Sequence, residues 1–240
     1  MTFGDTRYEH LYINQTHPYF RAPHIYVGVA ARFMPGRQVL SPADARRLQV
    51  DPGYFGDCSD AVLLTSRGGN VYDRTFMESF IRPGLGLENW VSRTNYPALG
   101  IVPTGDDQMS IYLQKNYGQP TSYLQRYTLR IDGFASLHAG YSGGEMITKA
   151  ITFPAASEAE VNLILNMSTS AAGSVRVEIQ DEQGNVRPEF SLDEADELIG
   201  DQIERVVTWQ GNSDLSVQAN RPIRFRFVLK DADVYSLRIK

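Results

Sequence analysis

Between Ser170 and Phe190 the chain reads SAAGSVRVEIQDEQGNVRPEF, where Val175, Val177 and Ile179 alternate with Arg176, Glu178 and Gln180. A period of two is the pattern of a strand with one face in an apolar core and the other in water. Asp181-Glu182-Gln183-Gly184-Asn185 then supplies turn chemistry, with Gly184 free to take positive φ. Compatible patterns flank it, Val161–Met167 before and Ile223–Leu229 after. The stretch therefore predicts a β-sandwich in the C-terminal half. Sandwiches serve enzymes, binding modules and spacers alike, so function has to be argued from a site.

The rest of the second half fits around that strand. Met146–Phe153 and Val206–Trp209 read as strands, and acidic Leu192–Gly200 reads as a brief turn of helix. Pro222–Leu229 and Val234–Ile239 read as a closing pair joined by a turn at Lys230–Asp233. In the first half, Ile25–Phe33 is a near-continuous apolar run, the mark of a central strand covered on both faces. Ser41 and Pro42 begin a short helix as N-cap and first helical residue. Ala61–Thr65, Ala98–Val102, Gln108–Asn116 and Tyr123–Asp132 follow as strands. Four or five strands with short turns suit sheets repeated radially, although no fixed-period repeat is visible. The reading is all-β: a partial, β-propeller-like domain of about two blades over 1–132, then a β-sandwich over 133–240.

Composition limits the partners. A formal net charge of −5 gives a nucleic acid no electrostatic footing. The 240 residues can bury a core, and 42% hydrophobic with 21% charged residues is an ordinary globular balance. Aromatics at 11% suit strands or a sugar-facing surface. The single cysteine, Cys58, allows neither an internal disulfide nor a cysteine zinc site. No stretch approaches the ~20 apolar residues of a membrane span. The opening MTFGDTRYEH has no apolar run, so neither a membrane partner nor a signal peptide is expected, and a cytoplasmic or processed secreted origin both stay open. GxSxG, a Walker loop and histidine zinc spacing are all absent, and no cofactor is expected.

Several segments carry a family resemblance. Arg126–Phe134, Gly143-Gly144-Glu145 and Gly173–Asp181 resemble the C-terminal region of a group of bacterial glycoside-hydrolase-like proteins, as do Gly200-Asp201, Trp209, Arg221–Phe227 and Ala232–Ser236. That group joins a five-bladed β-propeller, similar to the arabinanase and invertase superfamily, to a C-terminal β-sandwich. Arg21–Tyr26, Thr65–Gly69 and Phe80–Gly84 are similar to its later blades. The resemblance implies a carbohydrate-active protein that hydrolyses glycosidic bonds with paired carboxylates. About two blades leave strand edges open, which predicts a piece of a longer propeller or a homo-oligomer that pairs those edges.

Glycoside hydrolysis needs two carboxylates across the sugar, about 5 to 9.5 Å apart. Asp57, Asp60, Asp73, Glu78 and Glu88 are available in the first half, and Glu78 and Asp60 are the chosen pair. Glu78 lies among apolar residues in FMESF, a setting that can raise a carboxyl into the range of a general acid. It can equally pair with Arg74 or Arg82, four residues to either side, and tie a blade together. Asp60 begins a strand and can face the propeller axis or cap a turn. Arg21, His24, Arg93 and Asn95 are the candidate substrate-binding residues, each with a plain structural alternative. In the alternative function, a non-catalytic carbohydrate-binding or scaffold module, the sandwich would present aromatics such as Tyr141 or Trp209 to sugar.

Overall fold

A computed structural model describes residues 9–155 and 160–240, so the opening stretch read above for a leader lies, as far as Tyr8, outside the described residues. Among the described residues the fold is all-β, with three open antiparallel sheets. No helix among the described residues is long and apolar enough to cross a membrane. The chain divides into two compact units, one ending at Leu129 and the other running from Arg130 to Lys240.

In the first unit, β1 (His10–Tyr12) and β2 (His17–Tyr19) pair with one edge of β3 (Ala22–Met34). The other edge of β3 pairs along its length with β4 (Cys58–Ser66). Strands thus pair with both edges of β3, and Val27 through Ala31 are buried in succession, so both faces are covered there as the apolar run requires. Bridges Thr65↔Asp73 and Ala61↔Ile81 then lay the chain along the outer edge of β4. Between β3 and β4 lies α1 (Pro42–Arg47), whose Ser41 side chain accepts from the Asp44 amide at 3.1 Å.

The second sheet centres on β7 (Gln108–Lys115), flanked by β5 (Tyr96–Pro97) and β6 (Val102–Pro103) on one edge and by β8 (Tyr123–Arg130) on the other. The strand expected at Ala98–Val102 is replaced by β5 and β6, because Gly100 takes φ +105° and interrupts the extended path between them.

The second unit holds one five-stranded sheet. Its middle is β11 (Leu163–Asp181) paired with β13 (Ile223–Ile239); β12 (Asp201–Val206) flanks β11, while β9 (Leu137–Ala139) and β10 (Gly144–Ile147) flank β13. Leu163, Leu165 and Met167 from the first part of β11 and Val175, Val177 and Ile179 from the second share one core with Ile223, Phe225, Phe227 and Leu229. Three expectations are corrected. Residues 163–167 of the first stretch and 175–180 belong to a single strand, which passes through a register shift between Thr169 and Ser174. Lys230–Asp233 is not a turn between two strands: β13 runs straight through, with Ala232 and Val234 paired to β9 on one side and β11 on the other. Leu192–Gly200 forms turns and isolated bridges in place of helix. The turn after β11 is as expected, with Asp181 Oδ1 accepting from the Gln183 and Asn185 amides and Gly184 at φ +89°.

Candidate functional site

The β3–β4 register places Arg32 directly across from Asp60. Arg32 closes a fork on that carboxylate, Nε donating to Oδ1 at 2.9 Å and Nη2 to Oδ2 at 2.6 Å. Its remaining nitrogen, Nη1, donates to Glu9 Oε1 at 2.8 Å and to the Met77 carbonyl at 3.2 Å. Arg74, buried in the same cluster, pairs with the other oxygen of Glu9 and also donates to the Met77 carbonyl. Two guanidiniums and two carboxylates thus pair with one another, leaving only the buried Arg74 Nε among their nitrogens without an acceptor, and tie residues 74–77 to the strand pair.

Beside this cluster opens a cavity of about 580 Å³. Arg32, Asp60 and Ser79 form one wall, Met34 and Cys58 come from the end of the same strand pair, and Arg37, Arg82 and Trp90 complete it from three loops. The β3 exit turn is closed by Asp57 Oδ1, which accepts from the Gly36 amide at 2.7 Å. Pro83-Gly84 also lines the cavity, and the Trp90 indole N–H donates to the Gly84 carbonyl at 3.0 Å, which fixes the ring. Burial pushes the Cys58 thiol up, so it faces the cavity as a neutral, weakly polar group. Three arginines against one aspartate give the lining a net of two positive charges in a chain of net charge −5.

A buried amine braces the cavity from behind. Lys115 shares the inward face of β7 with Met109, Ile111 and Leu113. Its Nζ donates to the Pro83 carbonyl at 2.9 Å and also to Asn95 Oδ1. Burial outweighs the attraction of Glu88 and lowers Lys115 to about 8. Asn95, 0% exposed and at φ +68°, passes the brace on by donating from Nδ2 to the Ser59 carbonyl at 2.9 Å.

No protein-family model, curated protein or solved structure matches this chain.

Of the residues singled out in the sequence, Asp60 lines the cavity. Glu78 is exposed and lies one residue from Ser79, on the segment that Arg32 and Arg74 hold through the Met77 carbonyl. Neither arginine expected to pair with Glu78 does so, since Arg74 is committed to Glu9 and Arg82 faces the cavity. Asn95 is enclosed, with its side-chain donors and acceptor used by the protein, so it is a positioning residue.

Arg93 belongs to a second cleft of about 360 Å³ with Tyr12, Tyr96 and Tyr117. Its guanidinium carbon stands 4.8 Å from the centre of the Tyr54 ring and 5.8 Å from that of Tyr117. Arg21 and His24 are at the opposite end of β3, with His24 roughly 25 Å of strand away from Arg32 at about 3.3 Å per residue. Trp209 cannot meet a sugar: it is 2% exposed, donates to the Val177 carbonyl at 2.8 Å and packs edge-on against Phe190 at 5.1 Å.

Sequence reasoning overlooked Arg32, Arg37, Arg82, Trp90 and Lys115. Two of these left a signal. Arg32 is the one charge in the apolar run Ile25–Phe33, and Lys115 falls on the apolar parity of Gln108–Asn116. A charge in a buried position of a strand calls for a partner, and both have one.

Proposed function

We propose that this chain is a carbohydrate-active, glycoside-hydrolase-like protein whose sugar site is the cavity around Asp60. The observation that carries the reading is a carboxylate held in a two-point fork on the wall of a cavity that also presents a fixed indole ring. Carbohydrate sites combine these elements, a ring to lie against the sugar face and a few oriented polar groups to fix its position.

In this scheme Asp60 acts as the nucleophile or as the base on an attacking water, because a guanidinium fork is the pairing of an ionised carboxylate. Glu78, on the neighbouring segment, gives its proton to the glycosidic oxygen as the bond from the anomeric carbon breaks. Lys115 and Asn95 hold the backbone of Pro83 and Ser59, and Arg93 with its tyrosines would take a more distant part of the same glycan. The architecture that goes with this reading is two propeller-like blades followed by a β-sandwich. Two sheets, each with a long central strand flanked on both edges, support the first part, and one core shared along β11 and β13 supports the second.

The test is turnover of a panel of aryl glycosides by wild type, Asp60→Asn and Glu78→Gln, with folding checked by circular dichroism. The reading expects kcat/KM to fall by at least about a hundredfold in each folded variant. Turnover that survives both substitutions removes the assignment.

A second reading has one observation in its favour. In the second unit Tyr141 is 69% exposed, with the Lys230 ammonium 4.7 Å from its ring centre beside Glu145. A solvent-facing ring next to polar side chains suits a non-catalytic sugar-binding module. Retained glycan binding without turnover, lost in Tyr141→Ala, would favour it.

A further inference from the structure

Resting on the sugar-site assignment, we propose that the Asp60 cavity selects an anionic sugar, one bearing a carboxylate or sulfate group, and that Arg37 and Arg82 bind that group.

The three arginines of the cavity are not equivalent. Arg32 has spent every nitrogen, on Asp60, Glu9 and the Met77 carbonyl. Arg37 and Arg82 are exposed, and among the described residues neither guanidinium makes an ion pair or hydrogen bond. They arrive independently, Arg37 just past the β3 exit turn and Arg82 just past the Ala61↔Ile81 bridge, yet both line the same cavity. Unneutralised like charges converging on one concave surface repel each other and gather anions from solution. A guanidinium is also the side chain best suited to a carboxylate or sulfate, because its planar fork donates two parallel hydrogen bonds.

The remainder of the lining narrows the ligand. Met34, Cys58 and the Trp90 ring give an apolar surface, and the Trp90 N–H is already taken by Gly84, so the indole offers its ring and not a donor. Asp60 and Arg32 answer each other in the two-point fork, which leaves Arg37 and Arg82 as the lining groups free to meet a charge on the ligand. Carbon surface and an oxyanion-binding pair in one cavity describe a uronide or a sulfated sugar. A neutral sugar leaves both guanidiniums unanswered, and inorganic sulfate leaves the ring unused.

Isothermal titration calorimetry on the full chain separates these ligands without depending on hydrolysis. The probes are a methyl glucuronide, a sulfated methyl glucoside, the neutral methyl glucoside and inorganic sulfate, each against wild type, Arg37→Gln and Arg82→Gln. We expect at least one anionic sugar to bind about tenfold tighter than both the neutral sugar and sulfate alone, and to lose about tenfold in either variant. Whichever anionic sugar shows the preference identifies the group as carboxylate or sulfate. Equal binding of charged and neutral sugars overturns the proposal, as does sulfate binding as tightly as its glucoside, or affinity unchanged in both variants. Anionic-sugar binding in a protein that turns over no glycoside would leave this inference standing while removing the hydrolase.

Discussion

At the residue scale, the cavity depends on a lysine that is costly to keep. The Lys115 ammonium gives up water for the Pro83 carbonyl and Asn95, and burial lowers it to about 8 from 10.5. With the folded value below the unfolded one, the unfolded chain holds the extra proton between the two. Stability from this group therefore rises as pH climbs from about 8 towards 10.5. The Cys58 thiol and the Tyr96 hydroxyl, both raised by burial, work in the opposite sense at the alkaline end, because the unfolded chain loses those protons first.

Urea unfolding of wild type and Lys115→Met across this range isolates the lysine. Wild type should gain on the variant as pH rises from neutral towards 10.5, and a constant difference would refute the burial argument. At neutral pH the variant should lose about 1–3 kcal/mol from the acceptors it strands. A second residue-scale prediction concerns Gly173, where an added Cβ would meet the Asp231 carbonyl oxygen at 2.2 Å and that of Lys230 at 2.7 Å. Gly173→Ala should cost about 1–3 kcal/mol, whereas Gly140→Ala, with nothing within 4 Å, should be near neutral in the same denaturant titration.

At the element scale, the alternation of Val175, Val177 and Ile179 correctly predicts which apolar side chains enter the core, but the other face is not all in water: Glu178 and Gln180 are buried as well, with Glu178 Oε1 accepting from Gln180 and Arg226. What alternation does not carry is continuity. The register shift between Thr169 and Ser174 hides the union of two segments into β11, and polar Lys230–Asp233 imitates a hairpin turn. Asp231 does take φ +43°, the local conformation of a turn, but the flanking residues keep their partners on β11 and the chain does not reverse. Trp209 shows the same limit, since an aromatic near the end of an expected strand is as compatible with a sugar platform as with a core. Its buried N–H decides for the core, and Trp209→Phe should destabilise the second unit by about 1–3 kcal/mol by orphaning the Val177 carbonyl. An unchanged thermal midpoint would contradict that.

At the scale of the whole molecule, the all-β class was legible because strand periodicity recurs along both halves and only one short helix carries a cap signal. The candidate site was legible only in part. Asp60 and Arg32 are 28 positions apart, and their pairing follows once β3 and β4 are set in register, which the sequence alone does not specify. Arg37, Arg82 and Trp90 come from loops whose paths depend on Gly36, Gly84 and the indole hydrogen bond. No local pattern brings such residues together. The exposed edge features of the first unit carry the remaining expectation, association of copies: Tyr123 is 47% and Leu124 59% exposed on β8. Sedimentation velocity should show a species larger than the monomer, weakened by Leu124→Lys; a monomer at high micromolar concentration would rule this out.

The central claim, that sugar enters the Asp60 cavity, has a direct optical test because the chain holds two tryptophans and one of them, Trp209, is sealed in the core. Titrating the methyl glucuronide and its sulfated and neutral counterparts while recording tryptophan emission should give a saturable change in wild type that vanishes in Trp90→Phe. Binding seen by calorimetry with no Trp90 signal would place the sugar elsewhere and contradict the account.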